Sequence, residues 1–497
     1  MTWKKAPKTR RGLRAVLPLL VLSTALGCAV GPNFHTPPSP KTGTYTRTPL
    51  RPTAATPTVT GGDSQLFVKG LDIPGAWWTL FHNKALNDLV ERSLKANPTI
   101  TSARAALLVA RDNVQAQVGA FYPQVTGGYT GFRTLQSPYS VNISNNQTLY
   151  SLFTPMVSVS FVPDVWGLNR RTVESLVAQK EQARYQLAAA MIALSANVVI
   201  TAIGEASLRA QIMATRELVA INSNMLEILK INYSKGQATR LDVATQASLL
   251  AQVLATLPPL EKQLAQVRDL LNALEGRLPN RRIPERFHFE DLDLPRALPV
   301  SLPSRIVRQR PDVLQAEENL HFASAQVGVA IANRFPNFNL FADVGTIAQD
   351  IGQPLAASLG FWDFGISTTQ PIFMGGTLLY RQKAAQAAYL QAAEQYRSTV
   401  ITAFQNVADT LYALKHDADA LKAATAAADS ARVTLRLGMI QLKTGYGAQF
   451  DLLVAEQTYQ QALMNLISAQ ANRYADTAAL FLALGGGWWN RTDLPKR

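Results

Sequence analysis

The chain carries a single cysteine, Cys28, and the residues ahead of it define the chemistry open to that thiol. Lys4, Lys5, Lys8, Arg10, Arg11 and Arg14 make a positive segment, residues 15–26 an apolar run, and Gly27 a small residue directly before the cysteine. That order is a secretion signal over residues 1–27 that ends in a site for lipid attachment to sulfur and to the new amino terminus. The apolar run is too short to cross a bilayer, and an uncleaved anchor is the alternative. Acyl chains on Cys28, at about 0.8 kcal/mol for each buried CH₂, would hold the protein on a membrane. Ala29 follows, and the absence of aspartate there points to the outer membrane. A lone cysteine excludes an internal disulfide framework.

Other chemistry finds little support. The five histidines (His35, His82, His288, His321, His416) have no metal-ligand spacing and read as surface or packing residues. Walker, HExxH and GxSxG patterns are absent, so neither nucleotide chemistry nor hydrolysis is expected and no enzyme activity is assigned. No cofactor is expected beyond the covalent lipid. Gly485, Gly486 and Gly487 resemble a phosphate loop only superficially; they follow a helix and precede Trp488 and Trp489, as a helix terminator would. The net charge is +14, of which the six signal-segment cations account for all but +8, and no basic stripe with interleaved aromatics follows. Nucleic acid is therefore not an expected partner. The sequon at Asn142 is attributed to chance.

The elements that would position a function come from an internal repeat. Pro98 in "NPTI" and Pro123 in "FYPQV" recur 213 residues later as Pro311 in "RPDV" and Pro336 in "RFPNF". Gly236, six residues before Asp242, recurs 209 residues later as Gly445 before Asp451. Each half reads as a short helix, a strand pair, a very long helix and a returning helix. Val125, Gly127 and Tyr129, then Val157, Val159 and Phe161, alternate with Thr and Ser, and Phe338–Val344 and Trp362–Thr368 repeat the pattern. These four strands suit a membrane barrel, with Tyr129, Phe161, Phe338 and Trp362 available for interfacial girdles. Four strands cannot close a barrel, and open edges are not tolerated in lipid, so several copies must pool their strands.

From about Asn169 to Tyr233 no proline interrupts, giving a helix of ~65 residues or ~100 Å. The stretch from about Gly376 to Lys443 matches it. Returning helices are expected from near Asp242 and Asp451, with Pro258 and Pro259 breaking the first of them. Residues 32–62, rich in Pro, Thr, Ser and Gly, form an extended leader whose composition cannot bury a core. Residues 279–303 link the halves and pack with the C-terminal region as a belt. The expected organisation is a signal at 1–27, a lipidated leader at 28–75, a first repeat at 76–275, an equatorial segment at 276–305, a second repeat at 306–485 and a tail at 486–497.

Read together and in order, "CAVGPNF" (28–34), "WWTLF" (77–81), "PDVWGLNRR" (163–171), "RQRPDVLQAE" (308–317), "QVGVAIANRFPNF" (326–338), "QPIFMGGT" (370–377) and "LALGGGWW" (482–489) resemble the outer-membrane efflux factors, the TolC-like proteins. The resemblance is closest to their lipoprotein branch, which serves resistance-nodulation-division pumps. It implies a mainly α fold with a membrane β part and two tandem repeats, each with a strand pair and coiled-coil helices. It further implies a homotrimer forming a 12-strand barrel continuous with a 12-helix periplasmic tube. The implied partners are a periplasmic adaptor, a proton-driven inner-membrane pump and outer-membrane lipid. The implied function is passive conduction of drugs and toxic small molecules. A duct for another export system, such as metal efflux or protein secretion, is the alternative, and a pore-free periplasmic coiled coil a more distant one.

The family closes its periplasmic end with a leucine and an aspartate four apart on the last returning helix. Those places fall here on Phe450 and Val454, with Asp451 and Glu456 beside them. Asp451 reads either as a helix N-terminal charge or as part of an aperture ring, and Glu456 either as a solvated face residue or as part of that ring. Gly236, Gly445, Tyr446 and Gly447 fall in hairpin turns that the family presents to adaptor or pump; as plain hairpin turns they need no such role.

Overall fold

The computed structural model describes residues 29–137, 148–281, 283–353, 359–444 and 446–493. In chain order the elements are β1 (Leu66–Lys69), α1 (Lys84–Ala96), α2 (Pro98–Val118), β2 (Gln124–Gln136), β3 (Thr148–Phe161), α3 (Leu168–Ser234), α4 (Arg240–Leu274), β4 (Ala297–Val300), α5 (Pro303–Gln309), α6 (Pro311–Ala332), β5 (Asn337–Thr346), β6 (Gly360–Thr369), α7 (Thr377–Lys443) and α8 (Gln449–Ala483). The repeat is literal in these lengths. Both long helices, α3 and α7, have 67 residues, and both returning helices, α4 and α8, have 35.

The proline landmarks start helices. Pro98 and Pro311 occupy the first positions of α2 and α6, where a missing N–H costs nothing and the fixed φ is already helical. Asn97 precedes the first, and its Oδ1 accepts from the Thr99 backbone N–H at 2.8 Å. The α1 and α5 helices ahead of these landmarks lie outside the sequence expectation, which placed a single short helix in each half.

Pro258 and Pro259 do not break α4, contrary to expectation. Both prolines are exposed, as are Leu254 and Ala255, whose carbonyls lose their helical donors. Water can satisfy carbonyls on that face, so the helix continues at the cost of two hydrogen bonds rather than of buried, orphaned oxygens.

The chain forms two compact units. The first comprises Met1–Pro37, Leu108–Gln182 and Ala316–Tyr396. Its centre is an antiparallel sheet of order β2-β3-β5-β6, with β2 and β6 at the edges. The register keeps one face apolar across all four strands: Val125 pairs Val159, Val157 pairs Val344, and Val344 pairs Trp362. Phe161, Leu340 and Ile366 continue it. The opposite face pairs Thr126 with Ser158, Ser158 with Asp343, and Asp343 with Asp363. A one-residue slip would exchange the two faces, so the alternation itself fixes the register.

The second unit comprises Pro38–Leu107, Ala183–Gln315 and Arg397–Arg497. Leu218, Met225 and Leu229 of α3, Leu249 and Val253 of α4, Leu421 and Leu435 of α7, and Leu452 and Tyr459 of α8 form one core cluster. Around other parts of this unit lies the belt. Here β1 pairs β4 in parallel, with Leu66 opposite Ala297 and Lys69 opposite Val300. Trp77 stacks on Phe481 at 5.1 Å, and the Tyr474 hydroxyl donates to the Leu292 carbonyl at 2.8 Å. The expectation that the inter-repeat segment packs with the C-terminal region holds in these contacts.

The leader departs from its expectation. Thr53, Gln65 and Ile73 are buried, although the composition offers few apolar side chains. Hydrogen bonds substitute for apolar area: Gln65 Nε2 donates to the Pro295 carbonyl at 3.0 Å and to Thr477 Oγ1 at 3.1 Å. After α8, Gly485, Gly486 and Gly487 take φ of +94°, +60° and +67°, a run that only glycine adopts without strain. A side chain on Gly487 would stand 2.5 Å from the Ile73 carbonyl oxygen.

Candidate functional site

The hairpin turns and the first turns of the returning helices carry most of the residues singled out by sequence. In the first half, Gly236 at φ +73° ends α3, and Gln237 N–H reaches back to the Asn232 carbonyl at 2.8 Å. Thr239 then caps α4: its hydroxyl oxygen accepts from Asp242 N–H at 3.2 Å, while the Asp242 carboxylate accepts from Thr239 N–H at 2.8 Å. The Thr239 side chain and backbone donors hold the Asp242 carboxyl below the usual carboxylate range. Asp242 is therefore the helix N-terminal charge that the spacing implied.

In the second half, Tyr446 is 91% exposed, and Tyr446 and Gly447 N–H both donate to the Gln441 carbonyl. Gly445 lies outside the described residues. Ala448 occupies the N-cap position of α8 without a side-chain hydrogen bond. Phe450 and Val454, one helical turn apart, are exposed together, and Asp451 shares the exposed first turn. The neighbouring Leu452 and Ala455 are buried.

Glu456 corrects the sequence reading. It is 3% exposed, and neither carboxylate oxygen has a hydrogen-bond partner. Burial alone pushes its carboxyl up to about 7. It is not a solvated face residue, and it does not share the exposed face of Phe450 and Val454. Sequence periodicity could have flagged this, because Glu456 falls four positions after Leu452 and three before Tyr459, both core residues.

Cys28 and residues 1–27 lie outside the described residues, as does the Asn142 sequon. The chain that follows Cys28 is held tightly in the first unit. Val30 N–H donates to the Trp166 carbonyl at 3.0 Å. Arg171, which is buried, donates from Nε to the Val30 carbonyl at 3.1 Å and from one terminal nitrogen to Asn33 Oδ1 at 2.9 Å, while its other terminal nitrogen pairs with Glu174 at 2.7 Å. Phe34 stacks on His321 at 4.4 Å, and His321 bridges Glu318 at 3.1 Å and Glu174 at 3.2 Å. The Glu318 and Glu174 carboxylates raise the imidazole above its ordinary value against the opposing effect of burial. His321 is thus a packing residue, and the arginine at the end of "WGLNRR" has a partner that the sequence pattern did not reveal.

A second polar group that sequence reasoning missed lies in the other unit. Arg473 is fully buried and donates to Thr53 Oγ1 at 3.1 Å and to the Asp63 carbonyl. Nearby Asp417 is pushed up to about 7 by burial and by its hydrogen bond to Asp476, with Arg473 opposing. These contacts join residues far apart in sequence, which no local pattern encodes. Among the described residues no group of three or more His, Cys, Asp or Glu side chains could hold a metal ion.

A sheet with one apolar face and one face of hydroxyls and acids, leading into paired long helices within a tandem repeat, defines an outer-membrane channel protein. Residues 89–277 and 302–486 match the family described as outer membrane efflux protein. The chain belongs to that family. It is 26% identical over 487 residues to the toluene efflux pump outer membrane protein TtgC of Pseudomonas putida, covering 96% of this chain and 97% of that one. It is 23% identical over 482 residues to the cation efflux system protein CusC of Escherichia coli, covering 95% and 98%. The solved CmeC outer membrane channel of Campylobacter jejuni superposes with a TM-score of 0.83 at 20% identity, covering 94% and 97%. The expected fold, with its mainly α architecture, membrane β part and two repeats, is therefore the fold observed.

Proposed function

We propose that this outer-membrane efflux channel works as a homotrimer, anchored by lipid on Cys28, and receives substrates from a periplasmic adaptor and a proton-driven inner-membrane pump. The observation that carries the reading is the four-stranded sheet with two open edges and one continuous apolar face. Unpaired edge N–H and C=O groups cost several kcal/mol each in lipid, so β6 of one copy must pair with β2 of the next until the ring closes. Lateral closure of three such sheets places the Thr, Ser and Asp face inward and the Val, Leu and Trp face outward. Apolar residues left bare on α7, among them Leu390 and Ile401, suit burial between copies.

The duct performs no chemistry in this reading. A polar, hydroxyl-lined wall discriminates poorly among solutes, and the pump sets the substrate. Phe450 and Val454 form the apolar part of the periplasmic aperture, with Asp451 supplying a negative charge beside them. The hairpin turns at Gly236 and at Gly445, Tyr446 and Gly447 meet the adaptor or pump. Purified protein in planar bilayers should give small, mostly closed, cation-preferring pores, and Asp451→Asn should lower the cation preference. Large open pores indifferent to that substitution would overturn the aperture assignment.

A further inference from the structure

The linker between β6 and α7 carries the most exposed large apolar side chains among the described residues of the first unit. Ile372 is 94% exposed and Phe373 87%. Pro371, just before them, lines a cleft in its own copy together with Trp166 and Phe335, so the linker backbone is seated while its next two side chains are not covered. At another corner of the same unit Tyr122 is 65% exposed.

The repeat supplies the missing contact. Tyr122 and Phe335 are counterparts, each directly before the landmark prolines Pro123 and Pro336. The β3–α3 linker and the β6–α7 linker are counterparts too: Pro163 matches Pro371, and Gly167 at φ +79° matches Gly375 at φ +58°. Within one copy the first linker meets the second half's landmark. Trp166 stacks on Phe335 with ring centres 4.7 Å apart, and its Nε1–H donates to the Pro336 carbonyl at 2.9 Å. That contact closes the junction where β3 ends and β5 begins, two antiparallel neighbours in the sheet.

We propose that Ile372 and Phe373 form an inter-subunit wedge that packs on Tyr122 and Phe121 of the neighbouring copy, at the between-copy equivalent of the β3–β5 junction, where Met374 takes the place of Trp166. The wedge rests on the oligomeric reading above. β2 and β5 run in one direction and β3 and β6 in the other, so β6 of one copy pairs antiparallel with β2 of the next. The residues leaving β6 then arrive beside the residues entering β2, as those leaving β3 arrive beside those entering β5. A second copy of this chain is favoured over lipid as the occupant because at the internal counterpart of this junction the linker packs on protein, Trp166 on Phe335.

The test uses full-length mature protein extracted from outer membranes. Tyr122→Cys combined with Phe373→Cys, treated with a short bis-maleimide, should give covalent dimers and trimers, while each single substitution and the wild-type chain should not. Trp166→Cys with Phe335→Cys is the control and should link within one chain, read as a linked peptide pair at monomer size. Light scattering of the untreated wild type separates the outcomes. A monomeric wild type overturns both the oligomer and the wedge. A trimeric wild type whose control pair links but whose Tyr122–Phe373 pair does not overturns the wedge alone. As a second readout, a benzophenone side chain at position 373 should capture a neighbouring chain; capture of phospholipid alone also overturns the wedge. Phe373→Asp should lower the melting temperature of the trimer, and Phe373→Leu should largely restore it.

Discussion

Glu456 offers the sharpest quantitative test of the α7–α8 packing. Its carboxyl is enclosed near Leu452, Ala455 and Tyr459, with no donor to either oxygen, and burial raises it from 4.5 to about 7. The packed state therefore prefers the protonated acid, whereas the opened helix binds that proton only below about pH 4.5. Between those values the packed state holds a proton that the opened state has released, so stability falls as pH rises. The full stabilisation is present below pH 4.5 and is lost on passing through about 7. At 1.36 kcal/mol per pH unit the difference totals about 3 kcal/mol. Hydrogen exchange of amides around Leu452–Tyr459, corrected for the intrinsic pH dependence of exchange, should show opening that rises roughly tenfold per pH unit across this window and levels off above it. Glu456→Gln keeps the shape and removes the titration. The variant should match wild type at the acid end and be better protected by about 3 kcal/mol at pH 8. Parallel pH profiles for the two proteins would refute the reasoning, because they would mean that the carboxylate finds a compensating partner when ionised.

Four further outcomes follow. Arg171→Ala should free residues 30–34, leave Glu174 without its guanidinium and cost about 3 kcal/mol, read as faster proteolysis near Val30 and a lower melting temperature. The Phe34–His321 contact should also weaken with alkalinity: His321 is raised above 6.5, so its contribution is full below that value and lost as pH rises through the raised one, detectable as increasing proteolysis of the leader. Gly31→Ala places a Cβ 2.5 Å from Gly328 Cα at φ +95°; the left-handed backbone alone costs about 1 kcal/mol, and the clash adds to it, so the melting temperature should drop measurably. Cys28→Ser should reduce outer-membrane yield or trimer assembly more than single-channel conductance, and normal yield with lost conductance would contradict an anchoring role.

The repeat made much of the fold legible. Proline landmarks fixed the starts of α2 and α6, alternation fixed four strands and their faces, and uninterrupted runs gave the long helices to within one or two residues at each end. These features are local, with a period or a punctuating residue to mark them. The remainder is written in contacts between distant segments. The parallel β1–β4 pair joins Leu66 to Ala297, and leader burial depends on Arg473, Thr477 and Pro295 rather than on apolar composition. Pro258 and Pro259 looked like a break because the sequence shows the lost donors but not which face the orphaned carbonyls occupy. Glu456 looked solvated because charge outweighed its position among core residues.

The two hairpin turns differ in a way that bears on how the periplasmic end yields. Thr239 and Asp242 close the start of α4 with reciprocal bonds, whereas Ala448 gives α8 no such closure. A missing cap costs about 1 kcal/mol of helix-end stability. In the ring proposed above, every second tip would be the compliant one, and a load applied evenly at the rim would unravel α8 before α4. Half of that rim would act as hinge stock and half as frame.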